Sequence, residues 1–115
     1  MYLDARTARI RTLLAAEDGP ELDDLERAAA SLEELPPDGA YVPGLTAALY
    51  EAALQLVRTG AATPDARVLG CPLTEPALRR ALERTYRAQA RTAATDEERI
   101  RLVDAANRVR PRTWW

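Results

Sequence analysis

The chain has 115 residues, a formal net charge of −2 and 47% apolar residues, with one cysteine and neither lysine nor histidine. That is one domain's worth of chain around a single core, with no intrachain disulfide possible and without the commonest general base and metal ligand. No stretch approaches the ~18 apolar residues of a membrane-spanning helix, and the opening MYLDARTARIRTLL lacks the pattern of a signal peptide, so a cytoplasmic protein with no membrane insertion is expected.

Alanine is the commonest residue and the large aliphatics are mostly leucine, which favours helix over strand. Five helices follow in chain order. Leu3, Ile10, Leu13 and Leu14 share a face of the first, which Asp18-Gly19-Pro20 ends. The second starts at Pro20, with Glu21, Asp23 and Asp24 near its positive end. Its apolar stripe is Leu22, Leu25, Ala28, Ala29, Leu32 and Leu35, and Pro36-Pro37 stops it. A third runs from about Pro43, with Leu45, Ala48, Leu49, Ala52 and Leu56 inward, until Gly60 caps it.

The connection GAATPDARVLGCPL (60–73) exceeds a usual helix–helix loop, and Val68, Leu69 and Leu73 are expected to pin it to the core. Thr74-Glu75-Pro76 opens the fourth helix, with Leu78, Ala81, Leu82 and Tyr86 inward. Thr95 and Glu98 form a capping box for the fifth, which carries Ile100, Leu102, Val103, Ala106 and Val109 and cannot continue past Pro111. The expectation is an all-α single domain over 1–115, folded as antiparallel helical hairpins.

Charge is divided unevenly. Residues 1–57 carry eleven acids and four arginines, a balance of −7, while residues 58–115 carry seven acids and twelve arginines, a balance of +5. Such a split marks a partner or nucleic-acid surface, or simply two solvated faces of opposite sign, which is the plainer explanation. No aromatic is interleaved among the arginines until the tail, so a stacking platform for bases is missing and no nucleic-acid partner is expected.

Chemistry is sparse. Cys71, between Gly70 and Pro72, has no histidine to activate it, and a small buried thiol is the better reading. The acids Glu17, Asp18, Glu21, Asp23 and Asp24 lack calcium-loop spacing and suit a helix start. Phosphate-loop, dinucleotide and nucleophile-elbow motifs do not occur. The sequence therefore implies no catalytic residue, no cofactor-binding residue and no metal ligand.

Residues 45–59 and 78–92 align at an offset of 33, matching Leu, Ala, Leu, Arg and Thr. The spacing is near that of tetratricopeptide repeats, although the Trp-Leu-Gly-Tyr signature is absent. A degenerate repeat and coincidence both fit.

The run Leu69-Gly70-Cys71-Pro72-Leu73-Thr74, the Arg-rich helix after it, and Leu102-Val103-Asp104-Ala105-Ala106-Asn107-Arg108-Val109-Arg110-Pro111 resemble the C-terminus of bacterial protein kinase G. The resemblance is closest over 67–111 and extends more loosely upstream, through Glu34-Leu35-Pro36-Pro37, to about residue 25, with residues 1–24 placed by continuity. It departs at Cys71, where the family has an aromatic, and at Trp114-Trp115, where the family's tail has one aromatic. It implies the C-terminal tetratricopeptide-repeat part of a larger serine/threonine kinase, with the kinase domain and all its catalytic residues elsewhere. It also implies a binding and dimerisation element, whose partner is the protein's own kinase domain, a second copy or a regulatory target. A stand-alone helical adaptor, and less so an Arg-rich nucleic-acid binder, remain as other readings.

The tail supplies the candidate interaction residues: Arg108, Arg110, Arg112, Trp114 and Trp115. The arginines would steer an acidic partner, and the tryptophans would cap the chain's own core or anchor in a partner. Capping is the favoured expectation.

Overall fold

A computed structural model describes residues 8, 10–14, 21–34, 42–62 and 65–110. The helical residues 10–14 are denoted α1, followed by α2 (Leu22–Glu33), α3 (Val42–Arg58), α4 (Glu75–Arg91) and α5 (Asp96–Val109). A short hairpin, β1 (Arg67–Val68) and β2 (Cys71–Pro72), interrupts the path from α3 to α4. The all-α expectation holds.

Local chemistry sets where the helices begin and end. The described chain enters α2 at Glu21, whose backbone N–H donates to the Asp24 carboxylate at 3.0 Å; the expected start, Pro20, lies outside the described residues. Beyond α3 the chain closes in a Schellman turn: Gly60 N–H donates to Val57 O and Ala61 N–H to Leu56 O, both at 3.0 Å. Gly60 holds φ +77°, which that turn requires of its first residue past the helix. Thr74 caps α4, accepting from Ala77 N–H at 3.4 Å. In α5, Thr95 Oγ1 accepts from Glu98 N–H at 3.1 Å, while the Glu98 carboxylate reaches past the cap to Ala94 N–H at 3.3 Å. The expected capping box is thus displaced by one residue on its return bond.

The core gathers Ile10 from α1, Leu25, Ala28, Ala29 and Leu32 from α2, and Leu78, Ala81 and Leu82 from α4 around a heavily buried α3. The stripe expected on α3 was too narrow. Besides Leu45, Leu49 and Leu56, the helix buries Ala47, Tyr50, Ala53 and Leu54, whereas Ala48 and Ala52 are half-buried. At about 100° per residue these positions sweep about 200° of circumference, because α3 has α2 on one flank and α4 on the other. Leu3, Leu35 and the Pro36-Pro37 stop lie outside the described residues.

Two proximities give the direction of α3 against α4. Arg58 at the end of α3 meets Glu75 at the start of α4, and a methyl group added at Gly44, near the start of α3, would lie 3.8 Å from Gln89 Nε2, near the end of α4. The two helices are therefore antiparallel. Arg79 donating to Val109 O, and Arg87 to Asn107 Oδ1, set α5 antiparallel to α4. The α3 and α4 helices are each 17 residues long and begin 33 residues apart, so the alignment at that offset overlays these two neighbouring helices whole.

The long connection holds the only strands among the described residues. Val68 pairs with Cys71 and Arg67 with Pro72, around a turn in which Leu69 and Gly70 sit at φ +53° and +75°. Two successive positive φ values define the tight hairpin turn whose twist matches its strands. Leucine is unfavourable there, at a cost of about 1–2 kcal/mol. Its side chain packs on the core cluster, beside buried Val68 and Leu73, which offsets the strain. The pinning role of Val68, Leu69 and Leu73 is as expected; the strand pairing was not foreseen.

The last helix is the least buried of the four longer helices. Of the apolar residues that α5 carries, only Ala106 is buried, Leu102, Val103 and Val109 are half-buried, and Ile100 is 60% exposed. Six residues separate Ile100 from Ala106, about 120° around the helix, so with Ala106 centred on α4 the Ile100 side chain turns to solvent.

Candidate functional site

Antiparallel packing collects three helix ends at one place: the last turns of α3 and α5 and the first turn of α4. A groove of about 330 Å³ opens there. Leu54 of α3, Leu82 and Tyr86 of α4 and Val109 of α5 make its apolar lining. Leu54 and Leu82 are core residues, and Tyr86 and Val109 are half-buried against them.

Arg58, Arg79 and Arg108 supply positive charge to the same walls. Two of the three have a simple physical origin. Arg58 and Arg108 stand in the last turns of α3 and α5, where a cation complements the negative end of the helix. Glu75 bridges Arg58 and Arg79, accepting from Arg58 Nε at 3.4 Å on one oxygen and from Arg79 Nε at 3.2 Å on the other. Arg79 also donates to Val109 O at 3.4 Å, satisfying a carbonyl left open at the end of α5. These bonds lock the Arg79 guanidinium between α4 and α5.

Arg108 differs. It lines the groove and makes no hydrogen bond or ion pair with another described residue. Glu51, which lines the groove from α3, is also without a side-chain partner among the described residues; it is exposed, and partial desolvation raises its carboxyl pKa above the ordinary value.

Of the five interaction residues expected from sequence, the structure places Arg108 in the groove and Arg110 at the cap of α5. Arg112, Trp114 and Trp115 lie outside the described residues. Sequence reading missed Arg58 and Arg79. A usable signal existed, since Arg58 precedes the Gly60 stop and Arg108 precedes the Pro111 stop; in an antiparallel stack of three, alternate helix ends meet.

Cys71 sits in the hairpin, half-buried, and burial pushes its thiol pKa up while Arg84 and Arg67 pull it down less strongly. Burial likewise raises Tyr50, with a contribution from Cys71. Among the described residues no cluster of histidine, cysteine, aspartate or glutamate is arranged to hold a metal ion, and no helix is long and apolar enough to cross a membrane.

Stacked antiparallel helices with a groove at their joined ends define an α-helical repeat module. The chain matches the family described as protein kinase G tetratricopeptide repeat over residues 1–113, and it belongs to that family. It is 33% identical over 112 residues to the serine/threonine-protein kinase PknG of Mycobacterium leprae (strain TN), and 34% identical over 112 residues to the protein of the same name from Mycolicibacterium smegmatis (strain ATCC 700084 / mc(2)155). Each match covers 96% of this chain, but only 14% and 15% of the respective relatives.

Proposed function

We propose that this chain is the protein-interaction segment of a longer, cytoplasmic serine/threonine kinase, a segment that binds and does not catalyse. The observation that carries the reading is the match along 96% of this chain to about a seventh of two kinases. A stretch so short beside its relatives, made of amphipathic helices and lacking histidine and lysine, is suited to docking. Its partner is the upstream part of the same protein, a second copy or a regulatory target.

The groove supports the reading in physical terms. It combines an apolar lining with fixed cations, the composition by which helical modules hold a protein segment. Nucleic acid is the weaker alternative, because the described arginines of α4 and α5 are in part spent on neighbours: Arg79 on Glu75, Arg87 on Glu83, and Arg99 on Asp96.

Two measurements test this. An antibody raised to the chain should detect a native product several times heavier than 12.7 kDa; a band at the chain's own size makes it a free-standing adaptor. The remainder of that longer product, produced separately, should then bind the chain in a calorimetric titration. No heat and no co-elution would remove the interaction role.

A further inference from the structure

We infer that the groove between α3, α4 and the end of α5 is a docking site for an acidic peptide segment of a protein partner, one that presents an apolar side chain next to a carboxylate. The inference rests on the interaction role proposed above and names the chemistry of the partner.

The groove offers an apolar anchor. Leu54, Leu82, Tyr86 and Val109 leave a concavity of about 330 Å³, roomy for one or two leucine-sized side chains and small for a packed helix. Nothing described fills it. An aliphatic or aromatic side chain entering it is removed from water against residues already fixed by the core, so little ordering is required of the protein.

The polar half is the charge balance. Arg58, Arg79 and Arg108 line the groove with Glu51, and Glu75 bridges Arg58 and Arg79. One carboxylate of Glu75 serves two arginines, leaving both incompletely neutralised, and Arg108 has no partner among the described residues. An incoming carboxylate therefore finds one unoccupied guanidinium and two that are half-used and held in place. Fixed donors of this kind favour a carboxylate with defined geometry.

One acid of the lining sets the orientation. Glu51, on the α3 side of the groove, is exposed and its carboxylate has no partner among the described residues, so an acid of the partner placed beside it is repelled. The partner's carboxylate lies at the end where the three helices meet, and its apolar side chain lies over Leu54 and Leu82. A purely acidic segment lacks the apolar anchor, and a purely apolar one leaves Arg108 uncompensated.

The test is a fluorescence-anisotropy titration of the chain with three labelled peptides sharing one flanking sequence. Their cores are Glu-Asp-Leu-Leu-Asp-Glu, its amide counterpart Gln-Asn-Leu-Leu-Asn-Gln, and Glu-Asp-Ser-Ser-Asp-Glu. The first should bind, and each of the others about tenfold or more weakly. Arg108→Gln should weaken the first peptide by about tenfold, and Glu51→Gln should tighten it. That pair of opposite shifts is not produced by loss of fold, because a destabilised variant only weakens. Raising salt should weaken the acidic peptide more than its amide counterpart.

Equal affinity for the acidic and amide cores, or no change on Arg108→Gln, overturns the inference. A twelve-nucleotide single-stranded DNA that outcompetes the acidic peptide overturns it in favour of a nucleic-acid site. If no peptide binds while the upstream part of the longer product does, the groove is not the site and the interaction role stands. If neither binds, both fall.

Discussion

At Gly70 the reason for the residue type can be isolated from its surroundings. The backbone holds φ +75°, yet a methyl group built there meets nothing within 4 Å. Any penalty for Gly70→Ala is thus conformational rather than steric. The expected cost is about 1–2 kcal/mol, read as a lower thermal midpoint with unchanged helical circular dichroism. A variant as stable as the parent would mean that the turn rearranges freely. Glu51 offers a second residue-level test, in pH. Burial raises its pKa, so the folded state holds a proton more readily than the unfolded chain does. The resulting destabilisation is present above the folded pKa and disappears as pH falls below the ordinary carboxylate value of about 4.3. Glu51→Gln should therefore raise the melting temperature at pH 7 and make little difference at pH 3.5. An equal gain at both pH values would show that the benefit does not come from charge. Cys71 shifts in the same direction: its raised pKa makes less thiolate available, and the chain should react with a disulfide reagent at pH 8 more slowly than a free cysteine does.

Among the elements, the helix ends were the most legible part of the sequence, because short-range chemistry writes them. Gly60 closes α3, Thr74 opens α4 and Thr95 opens α5 as their residue types require. Thr95→Ala should remove the bond to Glu98 N–H and lower stability by about 1 kcal/mol, whereas Thr95→Ser should restore most of it; a serine variant as weak as alanine would assign the effect to the methyl group. Buried faces were less legible. On α3 the leucine spacing shows one wall and hides the second, since alanine and tyrosine at 47, 50 and 53 carry no clear periodic signal until α2 and α4 are both in place. On α5 the opposite happened: Ile100 extends the apolar pattern but faces solvent, because only one neighbour is present to cover the helix among the described elements. The β1–β2 hairpin was hidden for a third reason. Its turn uses Leu-Gly where Asn-Gly would have announced it, and a two-residue strand is too short for alternation to register. The groove was half legible. Arg108 could be picked out from the tail, but its companions Arg58 and Arg79 lie 50 and 29 residues upstream, and only the antiparallel register joins them.

For the whole molecule, burial is distributed unequally along the stack, and the groove lies at the weakly held end. Four residues of α4 are buried but only Ala106 of α5, so most of what retains α5 is half-buried contact plus the Arg79–Val109 and Arg87–Asn107 bonds. Segments with few buried contacts open at less than the global unfolding free energy. In native-state hydrogen exchange the amides of α5 should therefore exchange through a local opening, faster and with weaker denaturant dependence than those of α3 and the middle of α4. Opening α5 removes Arg108 and Val109 from the groove wall while leaving Arg58, Leu54 and Leu82 in place. A ligand that needs the complete groove can only bind the closed state, and mass action then requires it to slow α5 exchange in proportion to its saturation. Adding the acidic leucine peptide should protect α5 and leave the exchange of α2 nearly unchanged. If α5 already exchanges as slowly as α4, the stack unfolds as one unit and peptide protection will appear in every helix alike. If α5 opens locally but the peptide does not protect it, the peptide is held by surfaces that exclude Arg108 and Val109.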